Sequence, residues 1–337
     1  MSEYNIIPIS KVKVEQLNEF YKKTYPKRYK TLTNNWQWWY RSKHSKLRPL
    51  TLLIKDKIVG QLGLLPVDLN NDEKMISAIW LTDFAILPEY QGKGFGQILT
   101  KEWMKICSNQ ITFCNDESLR VFKRFGWKNN LSTKRLIKPL NILRFLPITK
   151  KFDFNFINKN LKFFLNRRHV GNKTIKPFNI TNNFKLINDS FKIKNFIKNN
   201  QLANIIRDEK WLNWRLIECP YNKDIYFFEY KNNFAIVHIF TTDNIKKLNI
   251  LFTYSVEKNF DQELFELITN WSLNNEIDLI WSVTRETEMA NIFPKIFSKT
   301  INFASWSSDN NISTILEKGL SDPQGIDSDI DSNLYIE

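Results

Sequence analysis

The sequence is poor in the residues that build metal sites, disulfide frameworks and membrane spans. Its 337 residues include 3 cysteines, 3 histidines and 9 glycines. Cys107, Cys114 and Cys219 are odd in number and lack metal-ligand spacing, so we expect neither a disulfide framework nor a metal site. No apolar run reaches the length of about 18 residues that marks a transmembrane helix, so none is expected.

What is present indicates a folded protein of two domains. Hydrophobic residues make up 42% of the chain, and its length suffices for two cores. The first residues lack a basic segment followed by an apolar core, so no signal peptide is predicted and a cytoplasmic location is expected. The net charge of +14 favours anionic partners, from small nucleotides to nucleic acid or anionic lipid, but solvated surface in a host with AT-rich codons explains it equally well.

The scarce glycines concentrate in one loop. Gly92, Gly94 and Gly96 fall within five positions, after an apolar strand and before a helix predicted from apolar residues at helical spacing. Glycine approaches a ligand closely, and the first turn of a helix offers free N–H groups, so such a loop suits an anion, above all a pyrophosphate. The spacing matches neither the P-loop nor the dinucleotide-binding fingerprint.

This loop resembles motif A of the GNAT superfamily of N-acetyltransferases, Gln/Arg-x-x-Gly-x-Gly/Ala. The resemblance implies binding of acyl-CoA, most simply acetyl-CoA, with the pyrophosphate held by Gln91, Gly92, Lys93, Gly94, Phe95 and Gly96. It also implies that the backbone of the preceding strand pairs with the pantetheine arm through Phe84, Ala85 and Ile86. By the same resemblance, Ile86 is the oxyanion donor.

A second stretch resembles motif B of the same superfamily, Asn-x-x-Ala-x-x-Leu-Tyr-x-Lys-x-Gly-Phe. Asn115, Ser118, Val121, Arg124, Gly126 and Trp127 are identical or similar to it. The resemblance implies that Asn115 approaches the pantetheine or thioester. The chain departs from the pattern at Phe122, where the family often has the tyrosine that protonates the departing thiolate, and this puts the usual acid in doubt.

Two carboxylates are candidates for the base that removes the proton of the acceptor amine. Asp83 is the only carboxylate between Met75 and Pro88, and a carboxylate in an apolar strand needs a partner or a raised pKa. The alternative for Asp83 is a solvent-facing strand residue or an ion pair with lysine. Glu117 is the second candidate for the base, and its alternative role is to cap the helix.

The pattern of elements predicts an α/β fold with mixed sheets and an internal repeat. Residues 1–135 read as a GNAT domain, and residues 181–318 read as a second, degenerate GNAT-like domain with the same order of elements. The Trp-rich segment 36–39 has a counterpart at 211–214. The alternative is an unrelated α+β domain whose pattern matches by chance.

Three further segments complete the predicted organisation. Residues 136–180 form a basic, aromatic-rich connector, read as core elements in preference to a membrane-surface segment. Residues 257–261 replace the glycine loop in the second half, where Glu257 and Asp261 would repel a pyrophosphate, so this half is expected to bind no CoA. Residues 319–337 form an acidic, polar tail.

The predicted function is an acyl-CoA-dependent N-acyltransferase that moves an acetyl or other short acyl group to a primary amine. Tandem chains of this kind resemble acyltransferases of surface-polysaccharide pathways, which implies a nucleotide- or lipid-linked amino sugar as acceptor. The alternatives are a peptide or protein amine, a Fem-like module that uses aminoacyl-tRNA, or a non-catalytic binding module. No specific nucleic acid is expected as a partner, and the oligomeric state is left open.

Overall fold

The computed structural model describes residues 3–43, 45–71, 74–141, 174–180, 185, 189, 202–242, 244–255, 262–285, 287–321 and 323. The chain forms two compact units, each assembled from separate stretches of sequence. Unit 1 comprises Met1–Ser132, Lys198–Ile206 and Ile301–Ser321. Unit 2 comprises Thr133–Ile197, Arg207–Thr300 and Asp322–Glu337.

Unit 1 is a mixed sheet with helices on both faces. Its strands are β1 (Asn5–Pro8), β2 (Leu50–Ile54), β3 (Lys57–Asn71), β4 (Lys74–Ile86), β5 (Asn109–Cys114) and β6 (Lys128–Asn130), joined by β9 (Asn204–Ile205) and β15 (Asn302–Ser307). Its helices are α1 (Val14–Thr24), α2 (Tyr29–Trp39), α3 (Phe95–Met104), α4 (Asp116–Lys123) and α8 (Asn310–Glu317). The described strands run in the order β1-β2-β3-β4-β5-β15-β6, with β9 beside β3.

The longest hairpin of unit 1 follows from its sequence pattern. Strand β3 is rich in Leu, Ile and Val, strand β4 is rich in β-branched and aromatic residues, and two acidic residues separate them in the sequence. Alternate side chains of these strands face opposite sides of the sheet. Leu62, Leu64 and Leu81 pack with α3 and α4 in one core, whereas the Gly63 position faces Tyr40 at the end of α2.

Unit 2 has its own sheet and core. Its strands are β7 (Lys134–Pro139), β8 (Phe178–Asn179), β10 (Ile225–Tyr230), β11 (Asn233–Thr242), β12 (Ile245–Tyr254), β13 (Leu279–Thr284) and β14 (Lys299–Thr300). Its helices are α5 (Glu209–Leu212), α6 (Gln262–Asn274) and α7 (Thr287–Ile292), and a π-helical turn spans Asn213–Ile217. The described strands run in the order β14-β7-β13-β12-β11-β10-β8. Leu248, Ile250 and Ile280 pack against Phe265 of α6 to form the core.

The two sheets repeat one pattern, as predicted from the sequence. In each, an antiparallel meander leads to a parallel pair, β4 with β5 in unit 1 and β12 with β13 in unit 2. In each, the strand beyond that pair comes from the other half of the sequence. Strand β15 lies between β5 and β6, and β7 lies between β13 and β14. The predicted α/β fold with mixed sheets is therefore confirmed.

The predicted division into segments stays a prediction. Each compact unit is built from separate stretches of sequence, and the units cross the predicted borders at 135, 180 and 318. Most of the predicted connector, residues 142–173, lies outside the described residues, as do the loop at 257–261 and the tail from 324 onward. Within the described part of the chain, no helix is long and apolar enough to cross a membrane.

Candidate functional site

The glycine loop ends where α3 begins, and its backbone takes a form that glycine favours. Gly92 and Gly94 have φ angles of 73° and 85°, and Gly94 caps α3 in the left-handed conformation. A Cβ atom built at either position meets no atom within 4 Å, so the space beside the loop is open.

The peptide N–H groups of this loop are unused. Over the described residues, no acceptor receives a hydrogen bond from the backbone N–H of Gly92, Lys93, Gly94, Phe95 or Gly96. Together with the positive end of the α3 dipole, these five donors form a cradle for an anion. The cradle fits the pyrophosphate of acyl-CoA, because its donors are unused and the space beside them is open.

The side chains of the loop stabilise its shape. Gln91 Nε2 donates to the carbonyl oxygen of Ile86 at 3.0 Å, and Lys93 Nζ donates to that of Glu89 at 2.8 Å. Phe95 is buried in the core beneath the loop. Of the predicted loop residues, Gln91 and Lys93 therefore contact neighbouring backbone, while the glycines supply free N–H groups.

Strands β4 and β5 separate just before the loop. Their ladder consists of Ile79 with Gln110 and Trp80 with Ile111, and β4 continues to Ile86 without further pairing to β5. Where the ladder ends, Thr112 Oγ1 donates to the carbonyl oxygen of Leu81 at 2.9 Å. Beyond that point, no described strand pairs with this edge of β4, which we call the open edge.

The peptide group of Ile86 faces this open edge. The N–H of the next residue, Leu87, donates to Val59 of β3 at 2.9 Å. Successive N–H groups of an antiparallel strand point to opposite edges, so the Ile86 N–H points away from β3. The Ile86 carbonyl also points away, because it accepts from Gln91. The Ile86 peptide group therefore faces away from β3, and its role as oxyanion donor stays a prediction.

The predicted residues at the start of α4 divide into a cap and an exposed carboxylate. Asn115 is the N-cap, and its side-chain oxygen accepts from the backbone N–H of Ser118 at 2.8 Å. Glu117 is exposed in the first turn. Asn115 lies directly after the end of β5, and its part in cofactor binding stays a prediction.

Neither Phe122 nor the nearby thiol supplies the missing acid. Phe122 is fully buried, and its ring stacks on Phe84 and Trp127 at centroid distances of 5.8 and 4.9 Å. Burial, followed by the nearby Asp116 charge, raises the pKa of the Cys114 thiol to about 12. A thiol with that pKa is a poor proton donor at neutral pH.

Asp83 lies in a buried network of side chains from α2 and the residues that flank it. Arg28 Nη1 contacts Asp83 Oδ1 at 3.0 Å. Oδ2 accepts from Trp39 Nε1 at 2.8 Å and from the Tyr40 hydroxyl at 3.0 Å. The side chains of Asp83 and Arg28 are 0% and 5% exposed. Asp83 thus forms a buried ion pair, which was its alternative role in the sequence analysis, but its partner is an arginine 55 positions away and not a lysine.

The tyrosines of this network remain protonated. Burial raises the pKa of Tyr40 well above its usual value, and the Asp83 charge raises it further. Burial, followed by the Asp83 charge, also raises the pKa of Tyr21. Tyr40 therefore donates to Asp83, while Gln61 Nε2 donates to the Tyr40 oxygen at 3.0 Å.

Sequence reasoning missed Arg28, Tyr40 and Gln61. They lie 55, 43 and 22 positions from Asp83 in the sequence, the last counted as 83 minus 61. The one available signal was the need of a buried carboxylate for a cation. Eleven tryptophans and 49 basic residues offer too many partners for that need to select one. Across the described residues, no cluster of ligand side chains suits a metal ion.

Comparisons with known proteins agree with this geometry. Residues 14–127 match the model of the acetyltransferase (GNAT) family. A GCN5-related N-acetyltransferase from Anabaena variabilis is 10% identical, with a TM-score of 0.56, over 90% of this chain and 72% of that one. One from Kribbella flavida is 8% identical, with a TM-score of 0.58, over 90% and 70%.

A third solved structure, Saccharomyces cerevisiae N-myristoyltransferase with bound myristoyl-CoA, is 10% identical, with a TM-score of 0.60, over 91% of this chain and 83% of that one. Likeness at such low identity concerns the fold alone. No curated protein matches the chain significantly. The family match covers the meander, the glycine loop and α4, so residues 14–127 form an acetyltransferase domain of the GNAT type.

Proposed function

We propose that this enzyme transfers an acetyl or other short acyl group from CoA to a primary amine. The observation that carries the proposal is the row of unused N–H groups from Gly92 to Gly96, next to the open edge of β4. When bound, acyl-CoA supplies an activated thioester. The loop holds the pyrophosphate through backbone donors, and this binding needs no basic side chain.

The chain contributes mainly positioning and polarisation. The Ile86 N–H lies on the open edge of β4 and serves as the donor to the carbonyl oxygen of the acyl group, where negative charge develops. Phe84 and Ala85 present backbone beside it. Holding amine and thioester in line replaces a bimolecular encounter with a local one.

Proton removal is assigned to an ordered water or to a carboxylate. Asp83 and Glu117 stay the predicted candidates. Glu117 is exposed to solvent, whereas both oxygens of Asp83 already accept hydrogen bonds. The departing thiolate takes its proton from water, because Phe122 has none to give.

The acceptor we propose is an amino sugar carried on a nucleotide or lipid, since the net charge of +14 favours an anionic carrier. The second candidate is a peptide or protein amine. The fold is similar to that of N-myristoyltransferase, whose solved structure holds myristoyl-CoA. Longer acyl groups are therefore tested as donors beside acetyl.

Calorimetry with acetyl-CoA tests the cofactor site. One binding site per chain is expected, and Gly94→Glu should abolish binding, because a side chain and a negative charge then occupy the pyrophosphate cradle. The matched control is Gly126→Glu. Gly126 has a φ of 80° and equally open surroundings but lies outside the loop. Absence of binding to the parent protein would contradict the proposal, and two sites per chain would contradict a silent second half.

A screen of CoA release identifies the acceptor. Amino sugars, nucleotide-linked amino sugars, amino acids and peptides are compared, each with acetyl-, octanoyl- and myristoyl-CoA. We expect turnover with an amino sugar and a short chain. Activity confined to peptides would leave the cofactor site standing and overturn the sugar acceptor.

A further inference from the structure

The strand that carries Ile86 contains a bulge at Asp83. Gly63 pairs with Thr82 and Gln61 pairs with Ala85, so the two residues Asp83 and Phe84 lie opposite Leu62 alone. Asp83 has a φ of 48°, which is left-handed backbone for a residue with a Cβ. Such a conformation is strained for a residue other than glycine and persists where the surroundings hold it.

The bulge decides which N–H reaches the open edge. Val59 accepts from the residue opposite it, which is Leu87. The register of Gly63 with Thr82, continued without the bulge, would place Ile86 opposite Val59. The Ile86 N–H would then donate a hydrogen bond to β3 and would not reach the open edge. The extra residue in β4 prevents this, because a shift of one position turns each N–H group of a strand toward the opposite edge.

The buried network is built on the bulged residue itself. A carboxylate that is 0% exposed and next to Arg28 needs all its donors, because removing one partner leaves the other charge uncompensated. Gly63 makes room for this arrangement. A Cβ there would lie 2.4 Å from Tyr40 Cε1, so only glycine lets the Tyr40 ring pass β3 to reach Asp83.

We propose that Asp83 is a positioning residue, whose contacts with Arg28, Trp39 and Tyr40 hold the β4 bulge that turns the Ile86 N–H toward the acyl carbonyl. This inference rests on the proposed function. It assigns to Asp83 a task different from that of a base, since both of its oxygens are engaged and its side chain is closed to solvent.

Two variants of the network separate the roles. Asp83→Asn removes the charge, and Tyr40→Phe keeps the carboxylate but removes one donor. We expect kcat to fall about 100-fold in the first and about 10-fold in the second, as for a misplaced transition-state contact. The Kd for acetyl-CoA should change by less than about 3-fold, and the inflections of the pH–rate profile should stay in place. The control is Asp68→Asn, a solvent-exposed carboxylate on the same hairpin.

Three outcomes would overturn the inference. A base is indicated if Asp83→Asn loses the acidic limb of the pH–rate profile while Tyr40→Phe keeps parental turnover. A merely structural role is indicated if acetyl-CoA affinity falls as far as kcat. Unchanged amide hydrogen exchange over residues 81–87 in Asp83→Asn would also refute it, and this readout holds even if no acceptor is found. An inactive parent protein would count against the proposed function alone.

Discussion

Lys138 on β7 is a lysine whose amine packs against helix α6 of unit 2. Its Nζ lies 4.8 Å from the centroid of the Phe265 ring and 3.4 Å from Thr269 Oγ1. Burial lowers the pKa of this amine to about 8, although the Glu266 charge acts in the opposite direction. Folding therefore disfavours the ammonium form.

This shift predicts how stability depends on pH. Between pH 8 and 10.5 the unfolded chain binds more protons at Lys138 than the folded chain, so the free energy of unfolding rises with pH through that window. Lys138→Met should raise the free energy of unfolding at pH 7 by about 1–2 kcal/mol and flatten the rise. Urea midpoints against pH measure it.

The control for this change is Lys134→Met, an exposed lysine on the same strand. It should leave both the midpoint and its pH dependence as in the parent protein. A parallel shift in both variants would trace the effect to net charge and not to burial of Lys138.

At the scale of elements, the start of α4 combines a structural task with a predicted binding task. Asn115 caps the helix, and its side chain carries the predicted contact to the cofactor. Asn115→Ala should lower the free energy of unfolding by about 1 kcal/mol through loss of the cap. Asn115→Asp keeps a capping oxygen and should retain stability.

Binding of acetyl-CoA to the two Asn115 variants separates the tasks. If Asn115 contacts the cofactor, Asn115→Asp should weaken binding about 10-fold or more while its melting temperature stays within a few degrees of the parent. Equal affinity of Asn115→Asp and parent would assign the residue to capping alone.

At the scale of the whole molecule, unit 1, which carries the glycine loop, depends on residues far from its motifs. Strand β15 pairs with β5 through six residues and with β6 through three. Phe303 and Ala304 are 1% and 0% exposed. Removing a strand from inside a sheet leaves two unpaired edges and opens the core, so the family-matching stretch 14–127 is an incomplete fold.

Two truncations test this dependence. A chain that ends at Thr300 lacks β15 and α8 and should lose acetyl-CoA binding and cooperative melting of unit 1. A chain that ends at Ser321 keeps both elements and should bind as the parent does, although it also lacks the tail. Normal binding by the shorter chain would show that β15 is dispensable.

Local pattern was enough to predict the elements and the loop. Apolar periodicity located β3, β4, α3 and the repeated order in unit 2, because hydrophobic spacing is a property of short windows. Gly92 to Gly96 marked the anion cradle, because left-handed backbone at a helix start leaves few residue types to choose from. Asp83 stood out for being charged in an apolar strand.

Only the tertiary structure determined which distant residues and strands contact one another. The partners of Asp83 arrive from α2 and the residues beside it, the bulge arises from a one-residue mismatch between two long strands, and β15 crosses from the far end of the chain. Each depends on pairing between distant segments, for which many registers and cations in this Lys- and Arg-rich sequence satisfy the same local rules. The sequence determined which residues could bind and react, and the fold determined that Ile86 faces the open edge while Asp83 is closed inside.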